Sequence, residues 1–171
     1  MSNTYGAKVI GPTLVRMETE GVGIDFEDWR DLLHDGLKQE PDDAAALLRY
    51  AQDDIDEFHR YLAMVVLGDI VYEPAMPFAV ELLRTEDDVD RGFDLVALVA
   101  GVTGIIDRDA YIAQGTNPQV YQQERAKIVQ LWDATEGSQQ QPPPAAPQQT
   151  ATPEPEPAKP SFWDKLKNML G

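Results

Sequence analysis

The sequence predicts an all-α protein: a compact helical array or bundle of five or six helices, then a Pro/Gln-rich linker and a short C-terminal amphipathic helix. Three observations lead there. Apolar residues recur at the helical period through most of residues 25–136. Composition changes at Gly137: from there to Pro160 lie eight prolines, five glutamines and no large apolar residue. Such a segment cannot bury enough surface to offset its ordering entropy, so it reads as a disordered, semi-rigid tether. Charge divides at the same place. Residues 1–136 hold 11 basic and 27 acidic residues and so the whole net charge of −16, whereas 137–171 hold three of each.

The elements follow in order. Residues 1–24 read as an N-terminal arm in which Ala7–Ile10 and Thr13–Thr19 are candidate short strands, because Gly6, Gly11, Pro12, Gly21 and Gly23 interrupt any longer pattern. A folded acidic domain is expected over 25–136. Asp25 can cap a first helix, with Glu27 and Asp28 at its positive end and Phe26, Trp29, Leu33 and Leu37 on one face. Pro41 opens a second, with Asp42 and Asp43 in its first turn. Its apolar stripe is Ala44, Leu48, Ala51, Ile55, Phe58, Leu62 and Val65, alternately four and three apart. That spacing predicts one continuous helix of about 25 residues, with Arg49, Asp53, Asp56, Glu57 and Arg60 on the opposite face and Gly68-Asp69 as its end. Pro77–Arg84 forms a shorter helix. Val89 to Val102 is apolar nearly all round and should be central and buried. Asp107–Gln114 supplies one or two turns before Gly115. Asn117-Pro118 starts the last helix, which runs to Thr135 and buries Val120, Tyr121, Ile128, Leu131 and Trp132.

One stretch carries a family resemblance. Gly68-Asp-Ile-Val-Tyr72-Glu-Pro74-Ala-Met-Pro77-Phe78-Ala-Val80-Glu-Leu82-Leu83, then Asp90-Arg91 and a helix with Leu95 and Leu98, resembles a HEAT-like helical repeat over residues 58–102. Glu73 separates the Tyr72 and Pro74 that such repeats place together, and no second copy follows. The resemblance implies a HEAT-like helical array used for protein contacts, and no active site.

Composition narrows the function further. A charge of −16 argues against binding nucleic acid through phosphates and favours attraction of basic partners. Without cysteine there is no thiol catalysis, disulfide or thiolate metal site, and His34 and His59 cannot make a three-histidine centre. No apolar run suits a membrane span, and the first residues do not read as a signal peptide, so a cytoplasmic protein is expected. Asp56 and His59 share a helix face, but no second such pair completes a bridged metal site. Asp87-Asp88-Val89-Asp90 and Asp107-Arg108-Asp109 lack the glycine and terminal glutamate of a calcium loop, and read as a cap and a turn. No nucleophile elbow, phosphate loop or dinucleotide fingerprint occurs. We therefore expect no enzyme, no cofactor and no metal.

Residues 161–171 form the most function-like motif. In helical projection Phe162, Trp163, Leu166, Met169 and Leu170 gather on one side, with Asp164, Lys165, Lys167 and Asn168 around the other. A helix this short is marginal alone and folds on contact. Its target is a groove on a partner protein, an anionic membrane surface reached through Phe162, Trp163, Lys165 and Lys167, or its own domain. The expected function is a non-enzymatic adaptor: an acidic helical domain binds a basic protein through the face with Asp53, Asp56 and Glu57, and the tethered helix engages a second partner. The alternatives are a peripheral membrane protein anchored by the tail, an immunity or antitoxin-like protein, and a viral assembly chaperone or scaffold.

Overall fold

Eight α-helices and two 3-10 turns account for most of residues 5–21, 25–53 and 56–139, the parts of the chain that the computed structural model describes. The helices are α1 (Gly11–Glu20), α2 (Phe26–Gln39), α3 (Ala44–Gln52), α4 (Glu57–Asp69), α5 (Met76–Thr85), α6 (Val89–Thr103), α7 (Arg108–Ala113) and α8 (Pro118–Gln139). No strand occurs among the described residues, so the all-α expectation holds.

The N-terminal arm is a helix and not short strands. Pro12 stands in the first turn of α1, where a missing N–H costs nothing. Ile10, Leu14 and Met17 lie four and three apart and are fully buried. What holds the entry to this helix is remote in sequence. The N–H groups of Lys8, Val9 and Ile10 donate to the Asp43 carboxylate at 2.8, 2.7 and 3.0 Å. Asp43 itself is buried, in the 3-10 turn Pro41–Asp43.

The single long helix expected from Pro41 is two helices. Asp56 is extended (φ −66°, ψ 161°) and caps α4, accepting from Phe58 N at 2.9 Å and His59 N at 3.0 Å. Arg60 reaches back across the break, donating to Ala51 O and Asp53 O, each at 3.3 Å. It thereby serves carbonyls that the end of α3 leaves without helical partners. Aspartate competes for backbone N–H groups, so an Asp-rich stretch favours a cap over a helix interior. The apolar period runs through the break because each helix keeps its own stripe, but Phe58 falls off it and is 63% exposed. Ile55 lies outside the described residues.

Helix α6 is central, as its all-round apolarity predicts: Leu95–Ala100 are all buried, and α4, α5, α7 and α8 pack on it. Close approach needs small residues. A Cβ on Gly92 would lie 2.2 Å from Tyr121 Cζ, so α8 crosses α6 there with the tyrosine ring against bare backbone. Phe93 and Tyr111 stack at 4.7 Å and join α7 to the same core. On the other side α3 and α2 pack against α4, and α1 against α2.

Asn117 caps α8, accepting from Gln119 N at 3.0 Å. The helix buries Tyr121 and Ile128 and half-buries Val120, Leu131 and Trp132. It continues to Gln139, so the first residues assigned to the linker are helical. The rest of that linker and the C-terminal motif lie outside the described residues. Within the described residues no helix is long and apolar enough to cross a membrane.

Candidate functional site

Helix α2 is the strongest candidate binding surface. Its inner face buries Trp29, Leu33, Gly36 and Leu37. The helical period then turns Glu27, Asp28, Asp31, Leu32 and Asp35 outward, all exposed. Together with Glu20 at the end of α1 and Asp25, all of these but Glu27 edge an open depression of ≈ 470 Å³. Trp29 forms its floor, fixed by donation from Nε1 to Gly21 O at 2.9 Å and covered by the Arg16 guanidinium 4.7 Å from the ring centre. Leu32, 44% exposed, is its apolar point.

Three of these carboxylates have local partners, Glu27 being reached by Arg30 Nη1 at 3.5 Å. Glu20 pairs with Arg16 at 3.0 Å and Asp35 with Lys38 at 2.8 Å, and each partner's hydrogen bond lowers the carboxyl pKa. Asp25, Asp28 and Asp31 have no hydrogen bond or ion pair among the described residues. Three unpartnered carboxylates beside an exposed leucine suit a ligand that brings cations flanking an apolar side chain.

The residues singled out for the acidic face lie elsewhere and serve internal contacts. Asp53 accepts from Tyr5 OH at 2.6 Å. Asp56 caps α4 and stands 2.6 Å from His59 Nδ1. Glu57 pairs with Arg91 at 3.2 Å. Asp53 and Asp56 flank the α3–α4 break, whereas Glu57 belongs to a groove of ≈ 280 Å³ between α4 and the α5–α6 turn. That groove has an apolar floor of Met64, Leu82 and Leu95. Arg91 ties its rim, reaching Glu57 and, at 3.1 Å, Glu86. Phe162, Trp163, Lys165, Leu166, Lys167, Met169 and Leu170 all lie outside the described residues.

A third polar cluster joins α2, α4 and α6. Asp69 Oδ2 accepts from Arg30 Nη2 at 2.7 Å and lies 3.0 Å from His34 Nε2. Nearby, Tyr61 OH donates to Asp94. Burial raises the Asp94 pKa, the tyrosine bond opposes that, and the Asp69 charge adds to it. Among the described residues no group of three or more histidine, aspartate or glutamate side chains is arranged to hold a metal ion.

Sequence reasoning passed over the α2 carboxylates, although Asp25, Asp28, Asp31 and Asp35 stand three, three and four apart and so share a face. The denser Asp53–Glu57 run is the more conspicuous in sequence, but the fold employs its charges as caps and pairs. Comparison of the chain with protein-family models, with curated proteins and with solved structures gave no match.

Proposed function

We propose that the chain is a non-enzymatic protein-binding adaptor. Its helical domain binds a basic partner through the α2 face, and Phe162, Trp163, Leu166, Met169 and Leu170 recruit a second partner at the end of a tether. The observation that carries this reading is the set Asp25, Asp28 and Asp31 around exposed Leu32, carboxylates with no hydrogen bond or ion pair to a described side chain. Separate sites on one chain act by effective concentration: once the domain is bound, the tether confines the tail nearby. Beyond α8, the Pro-rich composition of residues 140–160 favours an extended spacer over a collapsed one.

The test is calorimetric titration of the full chain with an amphipathic Lys/Leu peptide, at low and high salt, against Asp25→Asn/Asp28→Asn/Asp31→Asn. Exposed charges are screened beyond about 8–10 Å at physiological salt, so binding should weaken as salt rises. The triple variant should bind about tenfold more weakly at low salt. Equal binding by the variant would remove the α2 face from the account.

A further inference from the structure

We propose a second docking surface, where α4, α6 and α7 meet, for a partner helix that presents a carboxylate within an apolar stripe. Arg108 is its centre. Among the described residues it is the one lysine or arginine with neither a hydrogen bond nor an ion pair. The other ten are all engaged, from Lys8 with Glu40 to Lys127 with Glu124. Supply is not the reason, because Asp107 and Asp109 adjoin it in sequence. Asp107 instead caps α7, accepting from Ala110 N at 3.0 Å. The Arg108 Nε is buried and has no acceptor. A guanidinium seated in this way is pre-set for a carboxylate supplied from outside.

Its surroundings are apolar. The Arg108 stem crosses α6 at Gly101, with Cδ 3.1 Å from where a Cβ on that glycine would stand, and Val71 Cγ2 comes within 3.7 Å of the same point. Ile112, four residues after Arg108 on α7, shares its helix face and is 41% exposed. Ile70 and Val71 are 37% and 41% exposed.

Val71 adds an independent sign. At the end of α4, Tyr72 N donates to Leu67 O at 2.9 Å and Val71 N to Gly68 O at 3.0 Å, a closure that puts Val71 at the position glycine usually fills. Its φ is +53°, left-handed backbone that a β-branched residue adopts only under strain. Glycine there would relax the backbone and delete an exposed apolar side chain. Strain retained where it exposes apolar surface beside an unpaired cation marks a contact surface.

The charge pattern selects the occupant. The chain's own tail fits poorly: its projection puts Lys165 and Lys167 beside the apolar face and Asp164 opposite, so lysines would approach Arg108. A domain of this net charge is repelled by anionic membrane. A partner helix with Asp or Glu inside a Leu/Ile/Phe stripe meets both the cation and its apolar border.

A displayed library of helical peptides, selected on the full chain with Arg108→Gln as soluble competitor, tests this. Recovered peptides should carry a carboxylate within the apolar stripe and bind the wild type about tenfold more tightly than Arg108→Gln. Val71→Gly should weaken the same peptides while raising the melting temperature, which separates lost binding from lost folding. The proposal is overturned by recovery of no peptide, by peptides without that carboxylate, by binding that survives Val71→Gly, or by Arg108-dependent flotation with phosphatidylserine vesicles in place of peptide binding.

Discussion

Asp56 and His59 hold each other twice: one aspartate oxygen accepts from the His59 backbone N–H at 3.0 Å, and the other stands 2.6 Å from the ring Nδ1. The far ring nitrogen, Nε2, donates to Met17 O at 2.8 Å. One pair of residues therefore starts α4 and joins it to α1. Asp56→Ala removes the cap and one side of the imidazole's support, and should cost about 2 kcal/mol, the upper end for lost caps. Asp56→Ser keeps a capping oxygen and should lose less. Urea midpoints for the three proteins give the comparison.

Asp43 governs acid stability at the N-terminal end. Burial alone would raise its pKa, but donation from the N–H groups of Lys8, Ile10 and Val9 outweighs it, and the native pKa is lowered. The aspartate therefore contributes stability above its unfolded pKa of about 3.9, and that contribution is lost as pH falls through the lower native value. Asp43→Asn should cost about 2 kcal/mol at neutral pH, from weaker acceptance of three bonds, one buried and two part-buried. It should also flatten the loss of stability below pH ~4. Denaturation curves across that range supply both readings.

Gly92 tests the α6–α8 crossing. Alanine there would drive a methyl group into the Tyr121 ring, which is buried and anchored by donation from its OH to Glu86 O at 2.6 Å. The ring cannot retreat without breaking that bond. Gly92→Ala should destabilise by about 1–3 kcal/mol despite alanine's better helix propensity, as overpacked cores do. Thermal unfolding distinguishes this from the small gain expected at an open helical site.

The Tyr61–Asp94 contact gives the opposite pH sense. Burial leads the causes that raise the Asp94 pKa, so its folded value lies above its unfolded one. Its favourable contribution is complete below the unfolded pKa and is lost as pH rises through the folded value. Asp94→Asn, whose amide oxygen still accepts from Tyr61, should therefore stabilise the protein at neutral pH. The gain should shrink toward zero in acid. A constant gain at both pH values would contradict the burial argument.

What the sequence carried, and what it could not, divides along physical lines. Helices α5, α6 and α8 were legible to within a few residues because proline, Asp88 and Asn117 mark their starts and their apolar faces are continuous. Helix α1 was not, because its entry depends on Asp43, more than thirty residues away. The α3–α4 break was hidden by a stripe whose period survives it; the available sign was Asp56 three residues before His59. At the candidate surfaces the chemistry was visible as composition, but not which charges were spoken for. Asp53, Asp56 and Glu57 are engaged within the fold, whereas the side chains of Asp25, Asp28, Asp31 and Arg108 make no hydrogen bond or ion pair among the described residues. Only the folded arrangement of partners separates the two groups.

The most direct test of the adaptor reading is quantitative co-purification from the native cell with three baits: the full chain, a chain ending at Gln141, and Asp25→Asn/Asp28→Asn/Asp31→Asn. The account predicts two separate losses. Removing the tail should deplete one set of proteins, and the α2 variant should deplete a different, basic set whose capture by the full chain weakens with salt. Equal recovery of the same proteins by all three baits would contradict it.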